Sequence, residues 1–339
     1  MTFYVFELIA MLVVILVAAE LFTNALEHLG ERLNISEGVT GSLFAAVGTA
    51  LPETAVPLLS ILAGTSDTVV NEEIGVGSIL GAPLMLSTLS ISLMALAAWP
   101  RRGLRGYVTP ERTGMTRDLN VFLFAFGLAA LAMYVPPGMH YLRAALSAIL
   151  VLTYAGYIGL TLRASTSLVQ DGHATEADDR MFLSRLGMRT NRFTIVLQLV
   201  LGLILIVIGA EGFISAVDAV SKLLGISALL LSLLVIPIAT ELPEKLNSIL
   251  WIRRDRDTLA VGNITGAMVF QGTLLPALGI MLTPWQPRIE VLSGVVITLI
   301  AAGWLRLHCR ARGLPLWIFA ANAALYATYL ITTLRHQSA

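Results

Sequence analysis

The feature that most constrains this chain is a series of long apolar segments that follow one another from end to end. A helix needs about 20 mostly apolar residues to cross the roughly 30 Å hydrocarbon core of a membrane. Ten segments approach or exceed this length: 3–26, 38–63, 74–99, 119–135, 140–162, 193–221, 226–251, 259–282, 288–305 and 315–334. We therefore predict an all-α, polytopic membrane protein with ten transmembrane helices.

The composition excludes several other classes of protein. The chain is 56% hydrophobic and only 13% charged, whereas soluble domains carry about 25% charged residues. Its formal net charge is zero, so we expect no nucleic-acid partner. Its single cysteine, Cys309, permits no internal disulfide. The N-terminus lacks the basic start of a signal peptide, and its apolar run continues past residue 20, so we interpret it as the first span.

Basic residues predict which side of the membrane each loop occupies. If the ten spans alternate in direction, 17 of the 22 basic residues fall on one side. They are Arg32, Arg101, Arg102, Arg105, Arg112, Arg117, Arg163, Arg180, Arg185, Arg189, Arg192, Arg253, Arg254, Arg256, Arg306, Arg310 and Arg312. Lysine and arginine concentrate in cytoplasmic loops, so we predict a multi-pass protein of the cell (inner or plasma) membrane with both termini outside the cytoplasm.

An internal repeat appears when the sequence is compared with itself at an offset of 191 residues. Glu20 then matches Glu211, Thr49 matches Thr240, and the run 51–53 matches 242–244. Each copy holds five spans, and because five is odd the second copy enters the membrane in the opposite orientation. We predict a first five-helix repeat over 1–162, a cytoplasmic linker over 163–192 and a second, inverted repeat over 193–339. The acids of the linker show no spacing typical of a calcium loop, which favours a solvated connector over a calcium sensor.

Two glutamates of this repeat lie deep in their predicted spans. Glu53 and Glu244 each cost about 2.5 to 3.5 kcal/mol at the centre of a membrane unless something compensates the charge. A bound cation would do so. Thr49 and Thr240 precede them by four residues, one helical turn, and the nearby prolines free backbone carbonyls, so carboxylate, hydroxyl and carbonyl oxygens come together. The alternatives are protonated structural glutamates, and threonines that bond back to their own helices.

The paired motifs resemble those of a known transport family. The runs 48–53 (GTALPE) and 239–244 (ATELPE), with glycine-rich segments near 75–83 and 262–272, are similar to the alpha-repeats of the sodium/calcium exchanger family within the cation/calcium exchanger superfamily. The resemblance covers nearly the whole chain. It implies a fold of ten spans in two inverted halves, and it implies that Glu53 and Glu244 are the central ion ligands, helped by Thr49 and Thr240.

The third span of each repeat departs from the family pattern. That pattern is Gly-Ser-Asn followed by two residues and then Asn or Asp, whereas this chain reads 77–82 (GSILGA) and 266–271 (GAMVFQ). Ser78 and Gln271 are the polar residues that remain. Ser78 is a ligand or a small packing residue, and Gln271 is a ligand or an interhelical hydrogen-bonding group. The transported ion and the coupling ion therefore stay open.

The second copy also contains Glu241, three residues before Glu244 and four before Lys245. One interpretation is structural, with Glu241 and Lys245 forming an ion pair that cancels two buried charges. The other is functional. Two carboxylates about 4 Å apart repel by roughly 4 kcal/mol at an effective dielectric constant near 20, which favours proton uptake when no metal is bound. Glu241 is therefore included among the metal-binding candidates, and protons among the counter-ions.

Glu20 and Glu211 lie off-centre in the first and sixth spans. They either mark the two ion entrances or serve as interfacial and helix-packing residues, which cost less near the ends of a span.

The function that this pattern favours is secondary active antiport of calcium, or a similar cation, against sodium or protons by alternating access at a midplane carboxylate site. The alternative is a monovalent cation/proton antiporter of the same fold. An intramembrane enzyme lacks a nucleophile or metal motif, and a channel has no need of inverted halves. We expect no enzymatic activity and no cofactor. The expected partners are the transported cations and the lipid bilayer; the oligomeric state stays open, and a monomer is compatible with the sequence.

Overall fold

The computed structural model describes residues 2–32, 46–103, 105–169, 180–309 and 313–337, and its regular structure is almost entirely helical. The helices are α1 (Thr2–Arg32), α2 (Ala46–Ala63), α3 (Thr68–Met85), α4 (Ile91–Arg102), α5 (Arg112–Ala132), α6 (His140–Val169), α7 (Phe182–Arg185), α8 (Arg192–Leu224), α9 (Ala228–Thr240), α10 (Leu242–Arg253), α11 (Asp257–Leu282), α12 (Ile289–His308) and α13 (Leu316–Gln337). Two short strands, β1 (Tyr107–Val108) and β2 (Leu314–Pro315), pair antiparallel, with Tyr107 opposite Pro315.

Eight stretches of helix in the described part of the chain are long and apolar enough to cross a membrane. They are Phe3–Ala25, Thr68–Arg102, Arg112–Ala132, His140–Thr161, Arg192–Leu224, Asp257–Leu282, Ile289–His308 and Leu316–Thr333. The prediction of a polytopic helical protein is thus confirmed, while the exact number of ten spans stays a prediction.

Two other predicted spans are not among these eight stretches. The segment 38–63 corresponds to α2, and its first residues, 38–45, lie outside the described part of the chain. The segment 226–251 forms two helices, α9 and α10, separated at Glu241. Pro243 lacks a backbone N–H and cannot bond to the carbonyl of Ala239, which weakens the helix close to this point.

The third span contains an irregular turn. Between α3 and α4, residues Leu86–Ser90 form a π-helical turn. The Asn322 side chain of α13 donates a hydrogen bond of 2.6 Å from Nδ2 to the Ser87 carbonyl within this turn. A side chain that inserts into the backbone ladder is a common cause of such a distortion.

The chain divides into two compact units. The first comprises residues 1–71 and 155–223. Within it α1 and α8 run antiparallel, and the glycines of α8 allow close contact. A Cβ added at Gly202 would lie 3.1 Å from Phe22 Cβ, and one added at Gly209 would lie 2.8 Å from Ile15 Cγ1. Small residues at helix interfaces are typical of membrane proteins.

Buried polar contacts add to this packing within the first unit. Gln198 of α8 donates from Nε2 to the Leu21 carbonyl at 2.9 Å and to Asn24 Oδ1 at 3.0 Å. Hydrogen bonds between helices satisfy polar side chains where no water is available.

The second unit comprises residues 72–154 and 224–339. Its α5 and α11 pack closely, because Gly272 leaves room for the Phe122 ring. The same two helices are joined by a 2.8 Å hydrogen bond from Thr265 Oγ1 to Asp118 Oδ2. Trp285, in the loop after α11, donates from its indole nitrogen to the Ala129 carbonyl at 2.9 Å.

Ion pairs join the loops of the second unit. Arg102, at the end of α4, contacts Asp257 at 2.7 Å and Asp255 at 2.9 Å.

Glu111 accepts hydrogen bonds from the backbone N–H groups of Gly114 and Thr113 and so caps the first turn of α5. These hydrogen bonds lower the pKa of the Glu111 carboxyl, and the bond from Gly114 has the largest effect.

Candidate carboxylate site

The break between α9 and α10 positions the second carboxylate motif. Thr240 is the last residue of α9, and Glu241 has φ −88° and ψ 7°, outside the regular helix. Glu244 lies in the first turn of α10. The sequence predicts Thr240 and Glu244 one turn apart on one continuous helix. The structure places them on opposite sides of the break, so each projects from a different helix.

Glu241 and Glu244 form a buried acidic pair. Glu241 is 0% exposed and Glu244 is 3% exposed, and their carboxylates offer oxygens within 4.8 Å of one another. Such a separation allows one cation to contact both carboxylates. The Oε2 atom of Glu244 is buried and has no hydrogen-bond partner among the described residues. Burying a carboxylate oxygen without a hydrogen-bond partner costs free energy. Coordination of a hard cation, which prefers oxygen ligands, would offset that cost.

Gln271 of α11 supports this pair from the neighbouring helix. Its Nε2 donates to Glu241 Oε1 at 2.8 Å, and the Gln271 side chain is 0% exposed. The structure therefore brings together three of the predicted site residues, Glu241, Glu244 and Gln271.

Lys245 follows the acidic pair directly. It is 6% exposed, and its Nζ donates to the carbonyls of Pro237 at 3.0 Å and Ile238 at 3.2 Å. Both carbonyls belong to the last turn of α9, and that of Pro237 also accepts from the Glu241 backbone N–H at 3.3 Å.

Thr240 and Ser78 both donate to their own helices. Thr240 Oγ1 donates to the Ile236 carbonyl at 3.2 Å, and Ser78 Oγ donates to the Ile74 carbonyl at 2.6 Å. For Thr240 this is the back-bonded geometry that the sequence left open as an alternative. Each hydroxyl oxygen keeps lone pairs that can accept a cation. Ser78 is preceded by Gly77, which packs against α9 so closely that a Cβ there would lie 2.7 Å from Ser232 Cβ.

The first carboxylate motif lies in α2, in the other compact unit. Glu53 is 6% exposed, so it is buried, as the sequence predicts for a site residue. Thr49 is part of the same helix, but its side chain lies outside the described residues. Unlike the second motif, α2 continues as one helix through Pro52. Glu20 and Glu211 are both exposed, on α1 and α8 respectively.

Sequence analysis missed two polar residues. Asn263 donates from Nδ2 to the Glu244 carbonyl and to Ser248 Oγ, both at 3.1 Å, and so ties α10 to α11. Asp118 is 4% exposed, at the beginning of the fourth span. Both could have been noticed as polar residues within or beside apolar segments.

Comparison with known proteins decides the family. The model of the family described as "Sodium/calcium exchanger protein" matches residues 3–163 and 194–335. The chain belongs to this exchanger family. The resemblance drawn from the two repeat motifs is confirmed. The chain is accordingly a membrane antiporter of a calcium-transporting family and not an enzyme.

Relatives of this exchanger-family protein are similar along most of their length. CaxA, a candidate antiporter of Alkalimonas amylolytica, is 24% identical over 280 residues, which cover 80% of this chain and 79% of CaxA. The inner membrane protein YrbG of Escherichia coli is 24% identical over 279 residues, covering 82% and 80% of the two chains.

Solved structures share the fold of this exchanger-family protein. The crystal structure of the H+/Ca2+ exchanger CAX superposes with a TM-score of 0.72 at 19% identity, covering 97% of this chain and 82% of that one. The sodium-calcium exchanger NCX_Mj superposes with a TM-score of 0.57 at 18% identity, covering 97% and 98%.

Proposed function

We propose that this protein exchanges calcium, or a similar cation, for sodium or protons by alternating access at a carboxylate site near the midplane of the membrane. Membership of an exchanger family supports cation antiport. The observation that carries the proposal is the buried Glu241 and Glu244 pair, whose carboxylate oxygens lie within 4.8 Å of one another. Two acids buried in a membrane segment are compensated most directly by a bound cation.

The proposal includes an architecture of ten spans in two inverted halves, 1–162 and 193–339, joined by a cytoplasmic linker over 163–192. Both termini then lie on the extracytoplasmic side of the cell membrane. Two observations support it. The family model matches the chain in two blocks separated by 164–193. Within the second unit, loops that alternation assigns to one side contact each other: Arg102 with Asp257, and Arg143 with the Thr283 carbonyl.

In the proposed site, Glu53 and Glu244 are the central ligands, contributed by equivalent positions of the two repeats. Glu241, Gln271, Thr240, Thr49 and Ser78 complete it. The site binds either calcium or the counter-ions but never both. The charged, empty site resists crossing, and this enforces exchange. We further propose that α1 and α8 shift together during the cycle, which their close antiparallel packing supports.

The neighbouring acids of the second motif favour a second candidate function, monovalent cation/proton antiport. Two carboxylates about 4 Å apart repel by roughly 4 kcal/mol at an effective dielectric constant near 20, and uptake of one proton relieves that repulsion. A proton could thus replace a metal ion at Glu241 and Glu244. The names of the relatives leave the counter-ion open, because one solved structure is an H+/Ca2+ exchanger and another a sodium-calcium exchanger.

The purified protein, reconstituted into sealed vesicles, tests the proposal. Calcium uptake is measured against an imposed sodium gradient and, separately, against an imposed pH gradient. We expect uptake that depends on one of these gradients. Monovalent cation movement coupled to protons, without calcium uptake, would favour the second candidate, and no coupled cation movement of either kind would contradict both.

Glu244→Gln should abolish the exchange, because it removes the negative charge at nearly constant size. Glu290→Gln is the matched control, since Glu290 lies in the first turn of α12, away from the motif. It should leave uptake unchanged. Full exchange by Glu244→Gln would remove Glu244 from the site.

A further inference from the structure

Lys245 is an unusual residue for its position. The chain contains only two lysines, Lys222 and Lys245, and Lys245 is 6% exposed within a predicted membrane span. A lysine at the centre of a transmembrane helix costs about 2.5 to 3.5 kcal/mol on insertion scales. Such residues are retained where they serve a function or where their charge is compensated.

The ammonium group of Lys245 occupies the end of a half-helix. Its Nζ donates to the carbonyls of Pro237 and Ile238, at 3.0 and 3.2 Å, in the last turn of α9. The C-terminal end of a helix carries a partial negative charge that favours cations. In membrane transporters, the carbonyls at such broken-helix ends coordinate monovalent cations. Lys245 therefore places its own positive charge on oxygens suited to a small cation.

Three of the positions at which the two repeats differ lie around this lysine. By the repeat alignment, Glu241 corresponds to Ala50, Lys245 to Thr54 and Gln271 to Ala82. In the structure these three residues of the second repeat are neighbours. Gln271 donates to Glu241 at 2.8 Å, and the backbone N–H of Lys245 donates to the Glu241 carbonyl at 3.1 Å. The second repeat has thus gained one negative charge, one positive charge and one amide together.

We propose that Lys245 is a tethered cation that takes the place of one monovalent coupling ion at the carbonyl end of α9. This inference rests on the proposed antiport function and names a residue that sets its stoichiometry. With Lys245, the cluster of Glu241, Glu244 and Lys245 carries one net negative charge; without it, the two carboxylates carry two. Removal of the ammonium group opens the carbonyls of Pro237 and Ile238 to a free cation that restores the charge balance.

The test compares Lys245→Met with the native protein and with Lys222→Met. Lys222 is exposed and pairs with Asp218 at 2.7 Å, so Lys222→Met is a matched loss of a lysine charge outside the site. The charge moved per calcium ion is obtained from the membrane potential at which net calcium flux in vesicles is zero. We expect Lys245→Met to move one additional monovalent cation per calcium ion, and Lys222→Met to keep the native ratio.

A second measurement does not depend on transport. Thermal unfolding of purified Lys245→Met in detergent should shift to higher temperature as sodium or potassium is added. The shift should be absent with N-methylglucamine, a cation too large for the site, and smaller in the native protein than in Lys245→Met.

The outcomes separate this inference from the proposed function. A native protein that moves no cation contradicts the proposed function. A native protein that exchanges cations, with a Lys245→Met variant whose coupling ratio equals the native one, overturns only the inference. A Lys245→Met protein that remains unstable at every sodium and potassium concentration also overturns it, because the lysine would then be a structural partner that no free cation replaces.

Discussion

Gln271 is the residue through which α11 reaches the acidic pair. Its hydrogen bond to Glu241 is fully buried, and a hydrogen bond to a charged group contributes about 1.5 to 3 kcal/mol. When no cation is bound, this amide is a donor that stabilises the Glu241 carboxylate. Because Gln271 is also a proposed ligand, its loss should affect both the empty site and the cation-bound site.

We expect Gln271→Leu to lower the free energy of unfolding by about 2 kcal/mol without calcium, and by more at saturating calcium, because the loss of a proposed ligand also weakens the calcium binding that stabilises the folded protein. Thermal unfolding with and without calcium measures this. Gln198→Leu is the matched control, since Gln198 is 1% exposed and bonds the neutral acceptors Leu21 and Asn24. Its loss of stability should not depend on calcium. Equal losses for Gln271→Leu in both conditions would speak against a cation at Glu241.

The sequence predicts which residues belong to the candidate site better than it predicts the contacts that they make. The repeat and the cost of buried charge pointed to Glu53 and Glu244, and both are buried. The carbonyl partners of Lys245 could not be predicted, because they depend on where α9 ends. A proline at 243 indicates a weakened helix, but α2 continues through the equivalent Pro52. Tertiary packing therefore decides which of the two motifs breaks.

Helices α1 and α8 show how single atoms determine the packing of whole elements. Gly209 lies so close to α1 that an added Cβ would be 2.8 Å from Ile15 Cγ1 and 3.2 Å from Val14 Cγ1. Inserting a methyl group into such a contact lowers the free energy of unfolding by roughly 1 to 3 kcal/mol, because the helices must move apart.

We expect Gly209→Ala to lower the unfolding temperature in detergent. Gly127→Ala in α5 is the control, because nothing lies within 4 Å of a Cβ added at Gly127. There alanine should be neutral or stabilising by up to about 1 kcal/mol, owing to its better helix propensity. Equal effects at both glycines would mean that α1 and α8 do not rely on this close contact.

Helix existence was predictable from hydropathy, whereas helix irregularity was not. Runs of about 20 apolar residues predicted most of the long helices, because length alone constrains a crossing helix. The π-helical turn Leu86–Ser90 left no pattern in hydropathy; it coincides with a hydrogen bond from Asn322, which is more than two hundred residues away in sequence.

At the level of the whole molecule, the proposed ion site depends on an internal repeat of the sequence. The family match covers both copies, 3–163 and 194–335, which supports reading them as two related halves. At the second carboxylate motif and beside it, this half carries Glu241, Lys245 and Gln271 where the first half has Ala50, Thr54 and Ala82. An exchanger built this way has two related motifs with different charges, so its two halves need not contribute equally to ion binding.

We propose that Glu53 and Glu244, one from each repeat, bind one and the same cation. The most direct test is the number of calcium ions bound per chain at equilibrium, measured by titration calorimetry on the purified native protein, Glu53→Gln and Glu244→Gln. We predict one high-affinity calcium ion for the native protein and its loss in both variants. Calcium binding with native affinity in either variant would contradict a shared site.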